Sequence, residues 1–298
     1  MTAENQIRAL HAGVCGADIP VERFEFGAGI VLRKTYAHIM APYLAAFHPA
    51  APGKPHPAPW KAVSGGLGFD VSLELSVPPD VDPPKPFDHV GVLWFLISIL
   101  RLRASPMLRV PVIASHPFSD IAGLPFEPRF WPIEMESQHF CPVSDPPGVL
   151  AKADLDWTKQ FWRAAAKLYA SSDEFETGFV AADRVVWSSS MALALVSLWG
   201  ALERLFTREK TELRFRVSAN IAAYLEPSGV ARVALFRVVR GLYDKRSEAA
   251  HGSADGAAES VTQTYNLLRR ALFRMIEEER VPSRDDLEAC LFGAYGSA

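Results

Sequence analysis

The sequence predicts an α+β chain in two unlike parts: a mixed strand-and-helix domain over residues 1–147 and an all-helical bundle over 148–298. Proline distribution is the first observation, because 21 of the 23 prolines fall at or before Pro147, and proline breaks helix interiors. The second is a clean apolar–polar alternation over residues 69–77, which marks a half-buried strand. The third is sustained helical periodicity after Leu150, interrupted only by Pro227 and Pro282.

Taken in chain order, residues 24–32 carry a weak strand pattern and 36–47 read as a helix. Residues 49–59 and 78–86 are too rich in proline for anything but loops. Ser64-Gly65-Gly66-Leu67-Gly68 reads as a hairpin turn, since it precedes a strand and lacks a phosphate-binding lysine. Residues 89–102 form a helix and 108–114 a strand. In the second part, helices are expected near 154–170, 173–180, 184–206, 212–225, 229–251, 257–280 and 284–292. Thr211 or a neighbour, Ser228 and Ser283 stand where N-caps belong. The first part, whose topology the pattern leaves open, is read as a sensor or a substrate gate.

Composition narrows the possibilities. A net charge of −3 calls for neither nucleic acid nor an anionic membrane as a global partner. The first six residues contain neither a basic nor an apolar segment, so no secretory signal is expected. Cys15, Cys141 and Cys290 lie far apart without a CxxC, which fits reduced thiols in a cytoplasm. The apolar run 90–100 is short of the ~20 residues a spanning helix needs. The run 185–206 contains three serines, Glu203 and Arg204, and both runs read as core helices. Of the tryptophans, Trp60, Trp94 and Trp131 read as core or loop anchors rather than a stacking platform. His116, His139 and Cys141 have no fourth ligand at metal-binding spacing, so neither a metal nor another cofactor is expected.

The chemistry concentrates at Tyr243-Asp244-Lys245-Arg246-Ser247-Glu248-Ala249-Ala250-His251-Gly252. Seven of the eight histidines lie between His11 and His139, and His251 stands apart, five positions after Arg246. A permanent cation beside a group that titrates near neutrality suits phosphodiester cleavage, one binding phosphate and the other moving protons. At 100° per residue, Leu235, Val238, Val239, Leu242, Ala249 and Ala250 form an apolar stripe with Arg246 near its centre. A guanidinium there must be paired or placed at an anion-receiving interface. Pairing with Glu203 is one outcome. His251 has its own alternative, simple capping of the helix before Gly252, where the helix dipole favours imidazolium. On a straight helix the two groups stand about 140° apart, so either the last turn deforms or they meet across a subunit interface.

Positive charge gathers around the motif. From Arg204 through Arg246 there are ten Lys/Arg against four Asp/Glu. Arg237, Arg240 and Lys245 are the candidate RNA contacts within this excess. A solvated helix face is the other reading.

Three blocks occur in a telling order: Ala201-Leu202-Glu203-Arg204-Leu205-Phe206, then residues 212–225, then residues 242–252. Together they resemble Apea-like HEPN domains over roughly residues 150–280. The resemblance implies a bundle of four to five helices that dimerises with the two motifs lining a shared cleft. It implies RNA as substrate and metal-independent attack by the ribose 2′-hydroxyl, leaving a 2′,3′-cyclic phosphate. Carried over, Arg246 would stabilise phosphorane charge and His251 would act as general acid/base. Ser247 holds the polar position after the arginine, where Asn or Asp is commoner, and Glu203 and Tyr243 would support the pair. A homodimer through residues 229–251 would also resolve the 140° separation. Membership equally allows a non-catalytic module that binds RNA, nucleotide or a protein partner. Cytoplasmic toxin or phage-defence roles, with a trigger or antitoxin, follow from the resemblance alone.

Overall fold

The computed structural model describes residues 9–41, 43–63, 67–143, 148–207, 211–250 and 257–293. It is an α+β protein in two compact units. One comprises Met1–Val81 and Leu108–Glu136, the other Asp82–Met107 and Ser137–Ala298. The division therefore differs from a single boundary at residue 147. The segment 82–107 joins the helical unit, because its helix packs on helices that follow residue 150. Proline density marks where regular helices are scarce, not which side a lone early helix joins.

The first unit is built on a six-stranded antiparallel sheet. Its strands are β1 (Leu10–Cys15), β2 (Arg23–Gly27), β3 (Ile30–Ala41), β6 (Leu67–Val77), β7 (Arg109–Ala114) and β8 (Phe130–Pro132). They lie in the order β2-β3-β6-β1-β7-β8. A separate antiparallel pair joins β4 (Leu44–Ala46) to β5 (Trp60–Ala62). The expected strand at 24–32 is two strands, since Gly27, Ala28 and Gly29 all take positive φ and turn the chain. The expected helix at 36–47 is not formed. Instead β3 pairs with β6 from Val31↔Ser76 to Ala41↔Leu67, with an irregularity between Lys34 and Ala37. Ala37 and Ile39 pack against a core of Cys15, Phe69, Val71, Val112, Ala114 and Phe118. The period-2 alternation of Tyr36 to Met40 outweighs the helix propensity of its alanine and methionine.

Phe118 opens the one-turn helix α2 (Phe118–Ile121) and lies on Gly13 of β1, where an added Cβ would stand 2.8 Å from its ring. Burying a ring of this kind contributes about 1.5–3 kcal/mol. Beside it, the fully buried Glu74 carboxylate accepts from His11 Nδ1 at 2.9 Å, Arg33 Nη2 at 2.8 Å and the Phe118 amide at 2.8 Å.

The second unit is helical. It contains α1 (His89–Arg103), α3 (Lys152–Ser171), α4 (Asp173–Arg184), α5 (Met191–Phe206), α6 (Leu213–Leu225), α7 (Val230–Ala250), α8 (Ala257–Glu277) and α9 (Arg284–Phe292). Helix α5 is its axis, buried at Leu195, Leu198, Trp199, Leu202, Leu205 and Phe206 and packed by α4, α6, α7 and α8. Gly178 of α4 permits close approach, for a Cβ there would lie 3.0 Å from Leu205 and 3.3 Å from Leu272. Arg269 of α8 donates through Nε to the Leu102 carbonyl at 2.6 Å and so satisfies the end of α1.

The expected continuous helix 184–206 is broken after a short 3₁₀ turn at Val185–Trp187, and Ser190 caps α5 by accepting from the Leu193 amide. Three successive serines compete for backbone donors and favour a cap over a helix interior. Ser283 caps α9 through a reciprocal capping box with Asp286. At α6 the N-cap is the neighbour of Thr211, Glu212, which takes the left-handed region at φ 52° and makes no side-chain capping bond. No helix among the described residues is long and apolar enough to cross a membrane. The turn expected at 64–68 falls partly outside the described residues, and Gly68 lies within β6.

Candidate functional site

The candidate site is built by α5 and α7. Val239 and Leu242 are buried and fix the inner face of α7. Arg246 lies seven residues after Val239, a separation that returns it to nearly the same face. Val238, expected on that face, is 51% exposed, so the inner stripe is narrower than the sequence suggests.

Arg246 meets Glu203 of α5, with Nη2 at 3.6 Å from Oε1. The pairing open to Arg246 on sequence grounds is therefore present. It is longer than the ~2.7–2.9 Å of a charge-assisted hydrogen bond. Two buried atoms of this pair, Arg246 Nε and Glu203 Oε1, make no hydrogen bond. The Arg246 side chain is 28% exposed, although its Nε is buried.

Tyr243 completes the group. Its ring lies beneath the guanidinium, 5.7 Å from Arg246 Cζ, and edge-on to the buried Trp199 at 5.1 Å. Burial, then the charge and hydrogen bond of Glu203, push the phenol above its ordinary value, against the opposing pull of Arg246. It therefore stays protonated at neutral pH and can donate a hydrogen bond. Ser247 Oγ donates back to the Tyr243 carbonyl at 3.4 Å, a bond made within the helix.

The remaining predicted residues lie elsewhere. Arg237, Arg240 and Lys245 are exposed. At 100° per residue they stand about 180°, 120° and 100° away from Arg246, so they do not converge on it within one chain. His251 lies outside the described residues, as does Gly252. Two partners were not foreseen, Trp199 against Tyr243 and the ion pair of Arg214 on α6 with Asp244. Contacts between helices leave no local spacing signal, although Asp244 beside the motif was visible as a carboxylate in a basic segment.

Other expectations can be placed as well. His139 Nδ1 donates to the Ser188 carbonyl at 2.9 Å, and His116 Nδ1 pairs with Ser115 Oγ at 2.8 Å. Among the described residues no group of three or more His, Cys, Asp or Glu is arranged to hold a metal ion. Trp60 anchors its loop by donating to the His56 and Pro57 carbonyls, yet it is 58% exposed, and Trp131 is 39% exposed. Neither is a core residue. A cleft of about 720 Å³ between the end of α5, α6 and α9 is lined by Arg204, Phe215, Arg216 and Arg284 but does not include Arg246.

Chemically, the α5–α7 group offers a guanidinium with unused donor capacity and a protonated phenol. Both suit the ground-state binding of a phosphate. Comparison of the chain with protein-family models, curated proteins and solved structures returned no match.

Proposed function

We propose that the chain is a metal-independent endoribonuclease of the HEPN kind, with Arg246 and His251 as its reacting pair. Arg246 carries the reading. It sits on the inner face of α7, 3.6 Å from Glu203, with a buried Nε that makes no hydrogen bond and a side chain still partly exposed. A guanidinium locked to a carboxylate in a short bidentate pair has its paired donors occupied. One held loosely keeps donors for an incoming phosphate. His251, five residues on, supplies the titrating group, and its role rests on the sequence motif.

The reaction assigned to the pair balances without a cofactor. His251 takes the proton of the ribose 2′-hydroxyl, the oxygen attacks the adjacent phosphorus, and the 5′-oxygen leaves with a proton returned to it. Arg246 neutralises the charge that builds on the phosphorane. A homodimer through α7 would bring two motifs together, and Val238, 51% exposed and about 80° around the helix from Arg246, is the apolar side chain open on that side. Arg237, Arg240 and Lys245 then serve as backbone contacts for RNA on the outward face. A cytoplasmic setting and a toxin or defence role complete this reading, with the three described cysteines unpaired as a reducing compartment would keep them.

A second reading has its own observation. The Glu203–Arg246 contact is an ion pair already formed, and a module that binds RNA, nucleotide or a protein without cutting needs nothing more of these two residues. Cleavage of RNA by the full chain, with and without Arg246→Ala and His251→Ala, separates the two.

A further inference from the structure

We propose that the outer end of the β3–β6 strand pair, with the β4–β5 ribbon that connects them, is a binding surface for single-stranded RNA built from residues other than those around Arg246. Tyr36, His38 and Met40 alternate along one face of β3, while Ala37 and Ile39 between them pack into the core. On that outward face β6 presents Gly68 opposite Met40 and Asp70 opposite His38. Tyr36 is 74% exposed and Met40 75%. Further along the chain, β4 and β5 form a ribbon only two strands wide, with Leu44 and Trp60 on one face and Tyr43 on the other. Tyr43, Phe47 and Trp60 are 56%, 59% and 58% exposed.

A cluster of rings this exposed keeps a large apolar surface in water, and a partner that covers it gains the free energy of its burial. Charge identifies the occupant. From Phe26 through Phe69 the chain contains no aspartate or glutamate, whereas it contains Arg33, Lys34, Lys54 and Lys61 together with His38, His48 and His56. Arg33 is taken by Glu74 at 2.8 Å, and Lys34 lies near Asp18 and Glu22. That leaves Lys54 and Lys61 exposed in the same stretch of chain, Lys61 on the Tyr43 face of the β4–β5 ribbon. Asp70, the one carboxylate on the β3–β6 face, is held below its ordinary value by its 2.8 Å hydrogen bond with His38.

Aromatic faces, lysines and an absence of carboxylates over 44 residues are what an unpaired polynucleotide recognises. Bases stack on the rings while phosphates follow the lysines. Sheet-borne rings two residues apart seat successive bases in this way. A protein partner would be met by a one-sided apolar patch. Here the large side chains stand on both faces of a narrow ribbon.

RNA is the ligand of both this surface and the proposed nuclease, but the surface does not depend on cleavage. The test therefore uses full-length His251→Ala protein and fluorescein-labelled U20, read by anisotropy at several salt concentrations. Binding is expected, with Tyr36→Ala and Trp60→Ala each weakening it about tenfold, Tyr36→Ala at an unchanged melting temperature. Trp60→Phe should retain most of the affinity. Lys61→Gln should flatten the salt dependence by about one phosphate contact. A double-stranded RNA of equal length should bind more weakly than U20. The proposal is overturned if U20 does not bind, if the two alanine variants bind as the parent does, or if duplex RNA binds equally well. It is equally overturned if the alanine variants change only self-association by light scattering. Absence of cleavage by the wild-type chain, with U20 binding intact, would count against the nuclease and leave this surface standing.

Discussion

Arg246 of α7 and Glu203 of α5 face each other at 3.6 Å with a buried, unbonded nitrogen on one side and a buried, unbonded oxygen on the other. Two opposite charges this close pull together unless the helices that carry them are fixed by other packing. Here they are fixed, by Trp199, Leu202 and Leu205 on α5 and by Val239 and Leu242 on α7. The backbone thus holds the pair slightly apart.

That separation gives the first prediction. Replacing Glu203 with Gln removes the competing anion without emptying the space. Because both side chains are partly exposed, the cost to stability should be no more than about 1 kcal/mol. RNA affinity should rise severalfold in Glu203→Gln and fall in Arg246→Ala, measured by anisotropy on a cleavage-inactive background. Equal destabilisation by both variants, with affinity unmoved, would assign the pair a structural role alone.

Acid should act on the first unit through Glu74. Burial pushes this carboxyl up, but the His11 hydrogen bond, the Phe118 amide and Arg33 outweigh it, and the net shift is downward. A depressed folded value means stability fully present above the unfolded value of about 4.3 and lost as pH falls through the folded one. Thermal melting between pH 7 and pH 3 should show this loss, and Glu74→Gln should abolish most of it. The variant itself should cost about 1–3 kcal/mol at pH 7, because it weakens three hydrogen bonds to a buried carboxylate while Arg33, a third exposed, keeps part of its hydration. A Glu74→Gln protein as stable as wild type at pH 7 would contradict the geometry.

Gly178 tests the packing of the helical unit. A methyl group at this position meets Leu205 at 3.0 Å and Leu272 at 3.3 Å, both rooted in well-packed helices. Overpacking in Gly178→Ala should therefore cost about 1–3 kcal/mol. The gain in helix propensity, about 1 kcal/mol, offsets part of it, so denaturant titration should read a net loss of up to about 2 kcal/mol. Net stabilisation would show that α4 has room to move away from α5 and α8.

Thiol reactivity should be uneven. Burial pushes the Cys15 thiol up to about 11, with Arg109 opposing and Asp70 reinforcing the shift. At pH 8 only about one part in a thousand is thiolate, the reactive form. Cys141 is partly exposed and should consume Ellman's reagent first. Rapid modification of Cys15 in the folded chain, followed by mass spectrometry of peptides, would contradict its burial.

The helical part was legible because its signal is local. Amphipathic spacing and the near absence of proline located seven helices after residue 150, missing chiefly the break that Ser188, Ser189 and Ser190 introduce. The sheet was less legible, since pairing such as Met40↔Gly68 joins residues far apart in sequence. Tyr36 to Phe47 mixes alanine, methionine and histidine, and only its partner strand decides that it is extended. At the candidate site, the Arg246–Glu203 pairing could be anticipated from charge on an apolar stripe. Trp199 and the Arg214–Asp244 pair could not, because they depend on how three helices cross. The exposure of Trp60 was likewise hidden, as a tryptophan beside prolines reads the same whether its ring is covered or open.

The central claim is that Arg246 and His251 together cut RNA, and end-group analysis of cleavage products tests it most directly. Purified full-length protein is incubated with a panel of cellular RNAs in buffer containing EDTA, and fragments are assayed for 2′,3′-cyclic phosphate termini. The account predicts cyclic-phosphate ends from wild type. It predicts a fall of about 10²–10⁴-fold in rate for His251→Ala with binding largely kept, and loss of both rate and affinity for Arg246→Ala. Cleavage that continues unchanged in the Arg246→Ala, His251→Ala double variant, or products with 3′-hydroxyl ends, would contradict it.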